Sequence, residues 1–209
     1  SIPKIRVMRV IQILPQLNIG GVERGTLDLS KALIEQGHES FVISGGGILV
    51  DELIRSGAKH YEIPVHIKSL RTLYLAKSLS EKISSIDPDI VHIRSRMPAW
   101  VNYRAFKMLK KKPLLISTFH GLYSFPIYSK VMSFVDHSIA ISKTVERYIL
   151  ENYRIDKDDI TVIPRGCDPI EFNNDVINPS DKANIIEEFP QIVGKKVLTI
   201  PGRITKWKG

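Results

Sequence analysis

Cysteine is nearly absent. Cys167 is the only one in 209 residues, which excludes an internal disulfide and fits a reducing compartment. Long apolar runs are missing too, and no stretch approaches the roughly 18 residues of a membrane span. The first apolar run, residues 7–14, contains Arg9 and Gln12, and no small-residue cleavage site follows it. It therefore does not read as a secretory signal. The G-x-G-x-x-G pattern is absent, so a nicotinamide cofactor is not indicated. Nor does any motif interleave basic and aromatic side chains, and nucleic acid is not expected as a partner. The chain opens on Ser1 rather than Met, so its true start is expected to be missing.

What is present suits a globular α/β protein. With 43% hydrophobic and 25% charged residues, the chain can bury a real core of one domain, or of one domain plus a piece. The net charge of +8 is compatible with phosphorylated ligands or an anionic membrane surface. Most lysines and arginines are scattered. Lys110, Lys111 and Lys112 form the one cluster, read as the solvated end of a helix, where cations suit the dipole.

Short apolar runs alternate with amphipathic stretches. Strands are expected over residues 6–14, 40–44, 61–65, 90–93, 114–118, 138–141 and 160–163. Helices are expected over 22–36, 48–56, 70–86, 98–110, 127–135 and 143–152. Val22, Thr26, Leu29, Leu33 and Gln36 recur at helical spacing, for example, and Gly37 stops that helix. Such alternation calls for crossover connections, hence a doubly wound, mostly parallel Rossmann-like sheet of about seven strands covered on both faces. After Pro164 the pattern loosens into loop signals and a helix over 181–188. A new strand over 196–200 and a turn at Pro201 and Gly202 follow. The expected division is 1–164 as the Rossmann-like domain, 165–194 as linker and short helix, and 195–209 as the first strand and phosphate loop of a further domain.

Four places could carry chemistry. Gly20 and Gly21 stand between the first strand and the first helix, where backbone N–H groups and a helix N-terminus can meet a phosphate or sugar. An ordinary strand-to-helix turn would need such glycines equally. His120 follows a buried strand at the same sheet edge, placed to hydrogen-bond a sugar hydroxyl. His92 and His137 lie inside strands and read as packing residues. Arg94 and Arg96 share one loop and suit an anion, or a pair of surface ion pairs. Arg203 and Lys208 flank a short loop beyond Gly202 in the manner of a pyrophosphate grip, though on charge alone they read as a basic tail.

Taken in order, six pieces resemble the bacterial family 4 glycosyltransferases of the GT-B fold. They are Gly20-Gly21-Val22-Glu23, Ala32-Leu33-Ile34-Glu35-Gln36-Gly37-His38, His92-Ile93-Arg94-Ser95-Arg96-Met97-Pro98-Ala99-Trp100, Thr118-Phe119-His120-Gly121, Ile163-Pro164-Arg165-Gly166-Cys167-Asp168, and the segment from Pro201 to Gly209. The third piece is similar to a subgroup that builds envelope polysaccharide or lipopolysaccharide. The resemblance implies a retaining transferase that needs no metal or other cofactor. It would move a sugar from a nucleoside-diphosphate sugar to a cell-envelope glycan or lipid-linked acceptor. Gly20 and Gly21 would approach the donor's phosphate and sugar. His120 would contact the transferring sugar as the catalytic residue. Arg203 and Lys208 would grip the pyrophosphate, and Arg94 and Arg96 would face the acceptor.

The family's paired-glutamate motif lies beyond this sequence. The chain is therefore expected to be incomplete: a fragment, a truncated gene product, or one part of an assembly. Two other readings remain open. One is a sugar-nucleotide epimerase of the same architecture, which would need acidic catalytic residues in the cleft. The other is an inactive membrane-associated binding module, served by the basic charge and by exposed aromatics such as Trp100 and Tyr103. The localisation expected is cytoplasmic, with peripheral association at an anionic inner membrane. The charge generates a test. The chain should bind anionic vesicles more than neutral ones in a sedimentation assay, and added salt should weaken the difference, because ions screen a long-range attraction. Equal binding to both vesicle types would remove the membrane expectation.

Overall fold

A buried apolar run leaves its backbone N–H and C=O groups without water, so they must pair with neighbouring strands. Seven strands of three to six residues pair here, the edge strands β3 and β7 being the less buried. The computed structural model describes residues 6–67, 72–123, 126–170, 173, 175 and 177–200. The strands are β1 (Arg9–Ile13), β2 (Glu39–Ser44), β3 (Lys59–Glu62), β4 (Ile90–Ile93), β5 (Leu114–Phe119), β6 (His137–Ala140) and β7 (Ile160–Val162). They form one sheet in the order β3-β2-β1-β4-β5-β6-β7, and every pairing is parallel. The helices between them are α1 (Gly21–Glu35), α2 (Val50–Arg55), α3 (Thr72–Ile86), α4 (Arg96–Met108), α5 (Pro126–Ser129) and α6 (Lys143–Asn152). This is the doubly wound α/β architecture that the alternation demanded.

The period of two along each strand sorts the core into two faces. Ile11, Ile13, Phe41 and Ile43 join Leu75, Leu79 and Ile83 of α3 and Ala99 and Ala105 of α4 in one buried cluster. Val42 on the other face packs with Leu27 of α1 and Leu53 of α2. Gln12 also points to that face, and it is polar where its neighbours are apolar.

Several boundaries differ from expectation for local reasons. The third strand ends at Glu62, because Pro64 has no N–H to extend the ladder; Ile63 still donates to the carbonyl of Ser44 at 2.8 Å. The fourth helix starts two residues early, since Pro98 is tolerated in a first turn, and it ends at Met108. The three lysines thus lie beyond it, and Lys111 pairs with Asp87 at 2.7 Å. The expected helix over 127–135 is a single α turn followed by a 3-10 turn, Lys130–Ser133. Ser133 donates to the carbonyl of Lys130, a local bond that competes with helix propagation.

The chain divides into two compact units, Ser1–Arg165 and Gly166–Gly209. In the second, α7 (Pro179–Glu188) is capped by the Asn178 side chain. The strand expected over 196–200 makes no ladder among the described residues, and Leu198 and Ile200 are 99% and 93% exposed. A lone apolar run has no partner edge on which to satisfy its backbone.

The core generates a prediction. Leu79 is fully buried in α3, so Leu79→Ala should destabilise the first unit by about 2–5 kcal/mol through lost transfer energy and the cavity left behind. Urea unfolding with an unchanged m-value would report it.

Candidate functional site

The strand order runs outward from β1 to β3, then resumes on the other side of β1 with β4. Helices leaving β1 and β4 therefore diverge, and it is in the crevice beyond the carboxyl ends at such a switch point that open α/β sheets hold their ligands. Gly20 and Gly21 follow β1, Arg94 follows β4 directly, and His120 follows β5 directly. Arg165, which follows β7 after two intervening residues, reaches the same place. All four connections end at one edge because every strand points the same way.

Arg94 is held from below. It is 7% exposed, and its Nη1 donates to Oε1 of Gln12 at 3.0 Å. The Gln12 amide in turn donates to the Thr26 carbonyl and the Ser30 hydroxyl in α1, and Ser30 meets Ser40 of β2. This chain of bonds explains the polar residue at a core position of β1: a buried guanidinium needs an acceptor that an apolar side chain cannot supply. Burial first, and then the Arg165 charge, draw the Arg94 pKa down to about 10, against the opposing pull of Asp28 and Glu23. It remains a cation at neutral pH. Its Nε is buried without a hydrogen-bond partner among the described residues.

His120 lies beside it. Its Nδ1 is 3.0 Å from Nη2 of Arg165, and its Nε2 is buried with no partner among the described residues. Burial, then Arg94, then Arg165 pull its pKa to about 3, so the ring is neutral at any physiological pH. Beneath it, His92 is buried and its Nε2 meets the Thr118 hydroxyl at 2.7 Å, the packing role expected of it. His137 contacts Thr161 in the same way.

The glycines have identifiable neighbours. A Cβ on Gly21 would collide with Nη1 of Arg165, and one on Gly20 with the Glu23 carboxylate. The guanidinium thus fills the space that a side chain at 21 would take. Glu23 also sets a negative charge in the first turn of α1, where it complements the helix dipole.

Arg96 does not share the loop with Arg94: it is the first residue of α4, because that helix begins right after its N-cap Ser95, and its setting differs. Its guanidinium stands 4.7 Å from the Tyr123 ring centroid and 5.7 Å from that of Tyr128, and it reaches the Ser129 hydroxyl. Trp100 donates from Nε1 to the Tyr128 carbonyl at 3.0 Å. Trp100 and Tyr103 are therefore partly buried against the core rather than exposed, because their rings fasten the segment after β5 to α4. Arg203 and Lys208 lie outside the described residues. Arg165 is the participant that residue-by-residue reading passed over. It stood in a quoted motif, but only the fold reveals that a residue after the last strand returns to the first loop.

Among the described residues, no group of three or more His, Cys, Asp or Glu side chains could hold a metal ion. No described helix is long and apolar enough to cross a membrane.

The two buried neutral histidines give stability a pH dependence. In the unfolded chain each titrates near 6.5, while in the fold burial holds His92 well below that and His120 near 3. Above pH 6.5 neither state takes up these protons, and the contribution is complete. As pH falls below 6.5 the unfolded state binds protons first, and stability is lost progressively toward pH 3. Urea unfolding at a series of pH values from 7.5 to 5 should show the decline, and His120→Gln should lessen it to the share that His92 carries.

Comparison with known proteins agrees with this fold. Residues 19–171 match the family described as Glycosyltransferase Family 4. A glycosyltransferase from Rickettsia africae superimposes with a TM-score of 0.79 at 34% identity, covering 98% of this chain and 55% of that one. The Anabaena protein HepE, solved in complex with UDP-glucose, gives 0.70 at 15% identity, covering 88% and 50%, and so speaks for the fold alone. In sequence, one component of the human phosphatidylinositol N-acetylglucosaminyltransferase is 25% identical over 203 residues, 90% of this chain and 42% of its own length. The chain thus spans about half the length of these relatives. A match over most of its residues, on a parallel sheet with its polar loops gathered at one edge, makes it a member of Glycosyltransferase Family 4.

Proposed function

We propose that this chain is the acceptor-side half of a retaining glycosyltransferase, which moves a sugar from a nucleoside-diphosphate donor to a cell-envelope glycan or lipid-linked acceptor. The observation that carries the reading is the gathering of Gly20, Gly21, Arg94, His120 and Arg165 at the carboxyl edge beside the β1–β4 switch. Backbone N–H groups, two guanidinium cations and a neutral imidazole are what a sugar phosphate needs: hydrogen-bond donors, and positive charge to stabilise a leaving group. Support for a nucleotide-sugar donor comes from HepE, whose crystals hold UDP-glucose. Support for a lipid acceptor comes from the human relative, whose name carries phosphatidylinositol.

In this reading His120 donates to the transferring sugar, and the N-terminus of α1 at Gly20 and Gly21 approaches the donor. Arg94 supplies a fixed charge at the crevice floor and faces the acceptor. Arg96 anchors the β5–α5 segment through its tyrosines, and so holds the acceptor wall in shape. Arg203 and Lys208 would meet the pyrophosphate. Neither a metal nor another cofactor enters the scheme, since the cations are supplied by side chains. A chain of this kind works in the cytoplasm, with peripheral contact to an anionic inner membrane where a lipid-linked acceptor resides.

Transfer needs donor and acceptor held in register. Calorimetric titration of the 209-residue chain with uridine, guanosine and adenosine diphosphate sugars should therefore show weak binding, and transfer by the chain alone should be undetectable. Joined to the segment that the longer relatives carry, it should transfer sugar, and His120→Ala should lower kcat/KM by about ten- to a hundredfold, the worth of one buried hydrogen bond. Tight binding or turnover by the chain alone would overturn the division of labour, and unchanged turnover in His120→Ala would overturn the role of the histidine.

A further inference from the structure

We propose that Arg165 is a positioning residue: by donating to Nδ1 of His120 it fixes the imidazole as an Nε2–H donor directed at a sugar oxygen, and it exchanges no proton itself. The inference deepens the reading above and rests on it for the identity of the ligand, though its test does not.

The argument begins with the inventory of the two side chains. A guanidinium is donor-only, with five N–H groups and no acceptor. Whatever faces it at 3.0 Å must present a lone pair, and at His120 the facing atom is Nδ1. An imidazole whose Nδ1 accepts and which is neutral carries its single hydrogen on Nε2. Neutrality has its own cause, since burial and two nearby arginines disfavour the cation. The hydrogen so placed sits on the atom that is buried without a partner among the described residues. A buried N–H of that kind calls for an acceptor, and in this crevice the acceptor is an oxygen of the substrate.

Gly21 supplies an independent observation. The place where its side chain would stand is filled by Nη1 of Arg165, the other arm of the same guanidinium fork. One planar group thus touches the first loop of the sheet with one nitrogen and the loop after β5 with the other. That fork geometry is a property of arginine, and the glycine leaves the room in which this arm of Arg165 sits. Two residues far apart in sequence are joined through a third, whose guanidinium a Cβ at position 21 would push aside. The histidine gains orientation as well as tautomer, because the ring cannot turn about its Cβ–Cγ bond without losing the bond at Nδ1.

The test is spectroscopic and needs neither donor nor acceptor, so its failure is separate from any failure of sugar transfer. In the uniformly 15N-labelled chain, long-range 1H–15N correlations report the tautomer of each of the six histidines, and His120→Gln assigns the resonance. The wild-type ring should show Nε2–H only, unchanged from pH 7.5 to 5. Arg165→Met removes the donor at an exposed position and should lower the Nε2–H to Nδ1–H ratio about tenfold, the effect of one hydrogen bond from a charged donor. Gly21→Ala keeps Arg165 but displaces its guanidinium, and should move the ratio the same way by a smaller factor. A wild-type ring that carries its hydrogen on Nδ1, or a ratio that neither variant moves, overturns the proposal.

Discussion

The parallel pairing of β1 with β4, from Val10 opposite Ile90 to Ile13 opposite Ile93, is the constraint on which the site depends. It joins the two halves of the sheet at the point where the chain's winding reverses. Because the strands on either side are parallel, every loop that follows a strand emerges at one edge. Because the winding reverses there, the helices that leave β1 and β4 do not cover that edge. The core built by Ile11, Ile13, Val91 and Ile93 holds the pairing in register, and a slip of one residue would send Arg94 to the opposite face. The chemistry of the crevice is thus set by apolar residues that never touch it.

Charge at this edge is arranged with few partners. Arg94 and Arg165 repel one another, and each lowers the proton affinity of His120. Glu23 and Asp28 offset part of that field. What results is a neutral ring beside two cations, whose field is partly offset by the nearby carboxylates. The aromatic residues play a different part. Tyr123, Tyr128 and Trp100 cluster beside Arg96 and tie the segment after β5 to α4.

Much of the fold was legible because its signal is local. Runs such as Phe41-Val42-Ile43 and helices such as α1 show their period within a dozen residues, and Gly37 marks a stop. The edge carrying Gly20, Gly21, Arg94 and His120 followed from strand direction alone. Arg165 was not legible as a site residue, because its relevance comes from where β7 sits in the sheet, which no local pattern encodes. The setting of Arg96 and the burial of Trp100 and Tyr103 were missed for a related reason: an aromatic reads as exposed until its partner across a loop is known. The run at 196–200 has the composition of a strand and makes no ladder among the described residues, since a strand exists only with a neighbour to pair with.

The buried chain of bonds from Ser40 through Ser30 and Gln12 to Arg94 carries a consequence for how this sequence can drift. Gln12 looks like a blemish in an apolar strand, and a substitution to valine or isoleucine would improve local propensity. It would also strand a guanidinium without its acceptor, while losing Arg94 alone would leave the amide of Gln12 half satisfied in a dry interior. Each single step is a loss, and only the joint replacement restores a consistent interior. The two positions are therefore epistatic: a lineage that abandons the charge at the crevice floor must rebuild the middle of its first strand as well, and one that keeps the strand is committed to the charge.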